Sequence, residues 1–353
     1  MSGYKIPFNG LERLYNNFYA ELYAAANNAW RSGKAILGEH TQTLEHRMAK
    51  KYSRQYAISV GSATDGLYFA LRAAGVTSWH TVFCPAMTYV ATAGAIRRIG
   101  SNIKFIDTDT NGNMGNFDNE NVPNAIVYAN LFGNTADYDR IRSYCKKHQI
   151  ILIEDAAQSQ GACYRDTLSG TMGDVSVFSF DPMKNMPSFG SGGIVLTDDK
   201  DVCERVVSLR RHAINSTDFD YGYNSVISED HAAQLLVLLD HYDELQEDRK
   251  RVARRYYNNL PNKIFIKGDD NNTSSHHKLV MLDDDRDRLK EYLGEQGIET
   301  KIHYPEILDT VNKGLYPVAE NICRQAISLP IYPFLQDVEI DHICEKIKNF
   351  HGI

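Results

Sequence analysis

The chain has 353 residues, 43% hydrophobic and 24% charged, with a formal net charge of −7. That length exceeds the reach of one hydrophobic core, so two domains are expected. The acidic balance, without a long basic run, excludes a large nucleic-acid footprint. No apolar stretch is long enough for a membrane span, and the N-terminal MSGYKIPFNG lacks the charged-then-apolar layout of a signal peptide, so a soluble, cytoplasmic protein with no membrane contact is expected. The six cysteines are scattered without a C-x-x-C pair and read as reduced, mostly buried thiols. The histidines include the pair His276 and His277 but no H-E-x-x-H and no zinc-like spacing, so no metal site is expected.

Helical spacing of apolar residues runs over 11–31 and stops before Ser32-Gly33; HTQTLEHRMAKKY then reads as a polar-faced helix. The β-rich run 56–60 leads through Gly61-Ser62-Ala63-Thr64 into a helix over 65–74, with Leu67, Ala70, Leu71 and Ala74 on one face. A strand, a small-residue turn and a helix N-terminus present free N–H groups to an anion. Taken alone, the same pattern fits an ordinary capped βα connection. A strand over 81–84 precedes Pro85-Ala-Met-Thr-Tyr89 and a small-residue helix over 90–99. Tyr89 therefore stands just past a strand end, where an aromatic ring either joins the core or stacks on a flat ligand. Strands are predicted over 102–107 and 125–131, and a helix over 137–148. The alternation implies a mostly parallel sheet of the seven-stranded type with helices on both faces.

The next stretch carries the chemistry. Ile150–Ile153 ends in Glu154 and Asp155; Val175–Phe180 ends in Asp181-Pro182-Met183-Lys184; a glycine-rich turn then enters a strand over 194–196. Open α/β sheets bind ligands at the carboxyl ends of their strands. An acid and an amine delivered there suit pyridoxal phosphate, which needs a lysine for its Schiff base and an acid for its ring nitrogen. The turn at Ala63-Thr64 can hold the phosphate, Tyr89 can stack on the ring, Asp155 can keep the ring nitrogen protonated, and Lys184 can shuttle protons. Without further support, Asp155 and Lys184 could equally be a solvated strand-end pair. Beyond Gly193 a helix with a basic end is predicted over 200–212, then a long polar loop, INSTDFDYGYNSVIS, of a length that suggests a binding or interface role. A long helix with Leu235, Leu236, Leu238, Leu239 and the charged DRKRVARRYY bridges to a smaller α+β region. The expected division is a large α/β domain over 1–245 and a small C-terminal α+β domain over 246–353.

The blocks SATDGLYFALRA, PAMTYVATAGAI, IEDAAQSQGA, GDVSVFSFDPMKN with GSGGIV, GYN, KIHYP and LPIYP resemble the DegT/DnrJ/EryC1/StrS family of sugar-nucleotide aminotransferases, a branch of the fold-type-I pyridoxal-phosphate enzymes, over nearly the whole chain. The resemblance implies that Lys184 is the Schiff-base lysine, Asp155 the partner of the pyridine nitrogen, Gln158 a contact of the ring hydroxyl and Tyr89 the stacking aromatic. It assigns Ala63, Thr64 and Ser179 to the phosphate, and Asn224 to the phosphate of a neighbouring subunit, which makes a homodimer with shared active sites. His303 and Tyr304 would help shape the sugar-nucleotide pocket. The implied reaction passes an amine from an amino acid, usually L-glutamate, through the pyridoxamine form of the cofactor to a nucleotide-linked keto-sugar, giving an amino-sugar for polysaccharide or glycoconjugate synthesis.

Three residues depart from the family pattern. Ser191 replaces an acid before the Gly-Gly, Val226 stands where an arginine often follows the phosphate-binding asparagine, and Asn130 replaces a histidine. An anion contact is then either missing or supplied by Arg210, Arg211 or Lys301. Gly190 stands six positions after Lys184, the spacing of relatives that aminate the sugar 3-position; amination at the 4-position is the alternative. A dehydratase of this fold carries histidine in place of Lys184. A non-catalytic regulatory homologue would not need the complete cofactor set.

Overall fold

The computed structural model describes residues 5–214 and 221–352. Helical spacing over 11–31 resolves into two helices, α1 (Leu11–Asn17) and α2 (Tyr19–Arg31), interrupted at Phe18 (φ −113°, ψ 20°). Phe18 turns into the core, its ring 4.4 Å from that of His241. The helix α3 (Glu39–Lys51) starts at Gly38, and the buried carboxylate of Glu229 accepts its first N–H groups, from Gly38, His40 and Thr41. Its orphan donors are thereby satisfied from another helix.

The chain then alternates as the sequence predicts: β1 (Tyr56–Val60), α4 (Ala63–Ala73), β2 (Thr81–Pro85), α5 (Val90–Ile99), β3 (Asn102–Ile106), β4 (Ala125–Ala129), α6 (Tyr138–His148) and β5 (Ile151–Asp155). The two-residue strands β6 (Cys163–Tyr164) and β7 (Thr167–Leu168) intervene before β8 (Val175–Ser179) and β9 (Gly193–Thr197). The seven-stranded sheet has the order β1-β9-β8-β5-β4-β2-β3. Strand β9 runs antiparallel to both its neighbours, β1 and β8, and the remaining pairs are parallel. Strands β4, β8 and β9 are buried at every residue, because helices cover both faces. The strand period of two separates those faces: Val127 and Ala129 of β4 join one apolar cluster with α4 and α5, while Ile126 and Tyr128 join another with α6.

The predicted helix over 200–212 ends earlier, as α7 (Lys200–Leu209). Part of the long polar loop, residues 215–220, lies outside the described residues. The predicted bridge is two helices, α8 (Glu229–Asp240) and α9 (Tyr242–Asn259), broken at His241 (φ −94°, ψ 7°). The remainder comprises β10 (Asn272–Thr273), β11 (Leu279–Leu282), α10 (Arg286–Glu295), α11 (Pro317–Gln325), β12 (Ala326–Leu329) and α12 (Asp337–His351). Strands β11 and β12 pair antiparallel, and their side chains pack with α9, α10 and α12 in an apolar cluster of their own. Among the described residues no helix is long and apolar enough to cross a membrane.

A buried carboxylate braces the site from behind. Glu154, fully buried at the end of β5, accepts from Asn130 Nδ2 (2.9 Å), Ser169 Oγ (2.7 Å), Ser176 Oγ (2.7 Å) and the backbone N–H groups of Gly170, Met172 and Gly173. The departure at Asn130 is absorbed here: its Nδ2 serves Glu154, and its Oδ1 accepts the Ala136 N–H. Glu154→Leu keeps the volume but strands these donors at about 1–3 kcal/mol each. A loss of at least ~3 kcal/mol in urea unfolding is expected; a loss below ~1 kcal/mol would show that the donors find other partners.

Candidate active site

Sheet register brings the sequence-predicted residues to one edge. Val60 pairs with Gly193 and Gly193 with Ser179, while Asp155 pairs with Ala129 and Val177. At these strand ends lies a cavity of about 420 Å³, within the range of small-molecule sites. Ala63, Thr64, Tyr89, Asp155, Gln158, Ser179, Lys184, His303 and Tyr304 all line it.

The first wall is the N-terminus of α4. Ser62 caps this helix in an extended conformation, its Oγ accepting the Asp65 N–H at 3.1 Å. The helix thus starts at Ala63, two residues earlier than the sequence suggests, and no acceptor among the described residues meets the N–H groups of Ala63 and Thr64. Two free donors at the positive end of a helix form an anion cradle. Gly193 lets β9 approach it: a Cβ there would stand 2.6 Å from the Ala63 nitrogen. Ser191, where an acid was expected, donates from Oγ to the Gly61 carbonyl at 2.8 Å and ties the lysine turn to this cradle. Ser179, 7% exposed at the end of β8, adds a hydroxyl.

Asp155 occupies the floor, 6% exposed. Its Oδ2 accepts from Thr92 Oγ1 at 2.7 Å and its Oδ1 from the Ala157 N–H at 3.2 Å. Burial pushes its carboxyl above the usual range, opposed by those hydrogen bonds and by Lys184. Lys184 is half-buried on the turn after β8, where its N–H donates to the Asp181 carbonyl and the Asp181 side chain accepts the Met183 N–H. Burial holds the Lys184 amine below its ordinary pKa, with Asp155 and Asp181 pulling the other way. The next residue is clamped: buried His277, held neutral by burial and surrounding cations, stands with Nδ1 3.0 Å from Asn185 Oδ1, and Asn185 Nδ2 donates to the Ser275 carbonyl.

Gln158 donates from Nε2 to the buried Tyr304 hydroxyl at 2.6 Å, and its Oε1 accepts the Phe132 N–H. Tyr89 is the residue before α5, and 58% of its surface is exposed at the cavity mouth. His303 Nδ1 lies 2.9 Å from Ser328 Oγ; burial together with Lys278, Lys184 and Lys301 pushes its pKa down to about 3, so the ring is neutral.

Not every expectation meets in this cavity. Asn224 is exposed and outside the lining; its neighbour Ser225 bonds to Gly61 and Asp65 beside the cradle. Of the residues offered as a replacement anion contact, Arg210 is engaged by Glu45 (2.6 Å) and the Ser59 carbonyl, and Lys301 by Glu299 (2.6 Å). Neither these two nor Arg211 lines the cavity. Sequence reasoning missed Thr92, His277 and Lys278. Thr92 stands three positions after Tyr89, the helical spacing that returns to the same face, and Lys278 interrupts the approach to an apolar strand.

The residues fit pyridoxal phosphate: unpaired N–H groups for its phosphate, a buried carboxylate for its ring nitrogen, and an amine of lowered pKa. The pattern of the DegT/DnrJ/EryC1/StrS aminotransferase family matches residues 17–348. A Geobacillus stearothermophilus protein named pleiotropic regulatory protein is 31% identical, over 98% of both chains. A dTDP-3-amino-3,4,6-trideoxy-alpha-D-glucose transaminase from Streptomyces venezuelae is 29% identical, over 98% of this chain and 96% of that one. The structure of S. venezuelae DesV in complex with a ketimine intermediate superposes with a TM-score of 0.92 at 28% identity, covering 99% of both chains. With nearly its whole length matched and the lysine, acid and anion cradle converging on one cavity, the chain belongs to the DegT/DnrJ/EryC1/StrS aminotransferase family.

Proposed function

We propose that this enzyme transfers an amine from L-glutamate to carbon 3 of a nucleotide-linked keto-sugar, using pyridoxal phosphate. The observation that carries the reading is one cavity in which Lys184 and Asp155 stand on neighbouring strand ends beside the free N–H groups of Ala63 and Thr64. Bound pyridoxal phosphate supplies the carbon that carries the amine and an electron-withdrawing ring. Ala63, Thr64 and Ser179 bind its phosphate. Asp155, oriented by Thr92, holds the ring nitrogen protonated, Gln158 orients the ring hydroxyl, and Tyr89 covers the ring face. Lys184 Nζ takes the proton from the donor's α-carbon and returns it on the far side of the transfer; its lowered pKa keeps part of it in the neutral, basic form. Tyr304 and His303 face the sugar from the C-terminal side. A homodimer is part of the proposal: Asn224 is exposed and free to reach a partner's phosphate.

Carbon 3 is supported by the position of Gly190 six residues after Lys184 and by the 3-amino sugar in the name of the Streptomyces relative. The regulatory name of the Geobacillus relative gives no reason for a lysine of lowered pKa facing a buried acid. The test is a panel of UDP-, dTDP- and GDP-linked 3-keto and 4-keto sugars with L-glutamate, products read by NMR. Amination of a 3-keto substrate is expected; turnover of 4-keto substrates alone would overturn the regiochemistry.

A further inference from the structure

The cavity contains a second amine. Lys278 precedes β11, and its N–H donates to the Phe132 carbonyl at 3.1 Å, seating it beside the loop that follows β4. Its side chain lines the main cavity with Lys184 and also a small annex, about 30 Å³, between the N-terminal segment and Arg249. Its Nζ stands 4.9 Å from the centre of the Phe8 ring. Among the described residues no carboxylate comes within ion-pair distance of it, whereas Lys301 and Arg210 each have one. On the annex wall Arg249, 7% exposed, donates to the Ile331 carbonyl, and its Nε has no acceptor among the described residues.

A cation turned inward without an ion-pair partner is costly. Burial, Lys184, Arg249 and Lys301 all act against the charge of Lys278 and outweigh the pull of Asp181, so its pKa lies well below the ordinary value. The cofactor phosphate is not the missing partner. Its cradle belongs to β1, β9 and β8, whereas the Lys278 backbone is bonded to the loop that follows β4, two strands beyond β8, a backbone offset of roughly 10 Å at about 4.8 Å per strand. Lys184 is committed to the cofactor, so Lys278 is the amine left for substrate.

We propose that Lys278 is a carboxylate anchor: it pairs with a carboxylate of the incoming substrate, borne either by the amino donor or by the sugar. The proposal rests on the aminotransfer reading above and names the residue that selects anionic substrates for that same site.

Three measurements on the holoenzyme test it: calorimetric binding of glutarate, which has glutamate's carboxylates without its amine; half-saturation by L-glutamate of the cofactor absorbance change; and half-saturation of the amine-loaded enzyme by keto-sugars with and without a carboxylate. K278M is expected to weaken glutarate and L-glutamate about tenfold or more. The neutral keto-sugar and the absorbance of the lysine-bound cofactor stay unchanged, and K278R keeps affinity within about threefold. If only the carboxylate-bearing sugar loses affinity, the anchor serves the sugar. Equal affinities of wild type and K278M for all ligands overturn the proposal. A wild-type enzyme that binds glutarate but takes no amine from any amino acid overturns the aminotransfer reading alone, and the calorimetry still judges the anchor. Should K278M fail to hold cofactor, K278Q makes the same comparison.

Discussion

Replacing Lys184 with alanine is expected to abolish both the visible absorbance of the lysine-bound cofactor and amine transfer. The proposed function gives this lysine two duties, to bind the cofactor covalently and to move the proton, and assigns neither to a neighbour. Lys278 shares the cavity, but its backbone is fixed by Phe132 on another strand end, whereas Lys184 is placed by its own turn and by the His277–Asn185 clamp. A proton-transfer group contributes about 10²–10⁴-fold, and loss of the covalent route adds to that. Pre-steady-state absorbance with L-glutamate is the measurement. Residual turnover above about 1% of wild type, on the scale of that lower bound, would mean that another amine, Lys278 first, takes the proton.

The second large effect is at Asp155. Asp155→Asn preserves shape and the hydrogen bond from Thr92 but removes the negative charge that the proposed function sets against the ring nitrogen. Without that charge Asp155 would no longer hold the ring nitrogen protonated, and the electron-withdrawing power of a bound cofactor would weaken. A fall in kcat on the order of 10²–10³-fold is expected, comparable to removing one preorganised electrostatic partner in other sites. Cofactor content should stay near one per chain, because the phosphate cradle and Lys184 are untouched. A fall below tenfold, the scale expected for an indirect effect, would assign the charge-stabilising role elsewhere. Asp155 is also held high by its own burial, a cost that a protonated ring nitrogen opposite removes.

Much of the site was legible because chemistry-bearing residues terminate apolar runs. Asp155 ends Ile151–Asp155 and Ser179 ends Val175–Ser179, both fully buried elsewhere along the strand apart from half-buried Ile151. A carboxylate at such a position needs either internal donors, as Glu154 has, or a ligand. The helices over 11–31 and 229–259 were harder to divide. Apolar residues on both sides of Phe18 and of His241 fall in the same cluster, so the periodic signal continues across a one-residue break. Lys278 was missed for the opposite reason. A single lysine before a strand resembles a solvated edge until β11 is seen to lie against the cavity. Thr92 has an ordinary helical position and acquires meaning only from the 2.7 Å contact with Asp155.

The antiparallel strand β9 has a consequence for how this enzyme is made. Every other strand of the large sheet finds a parallel partner among the segments around it, but β1, the first to be synthesised, pairs only with β9 among the described residues. Until Gly193–Thr197 have emerged from the ribosome, Tyr56–Val60 has no partner, and the α4 N-terminus has no wall opposite it. Such long-range closure is slow, and an unpaired edge is exposed to aggregation while it waits. The anion cradle is therefore among the last features of the sheet to form, so a nascent chain acquires the capacity to hold its cofactor only after most of the large sheet has been translated.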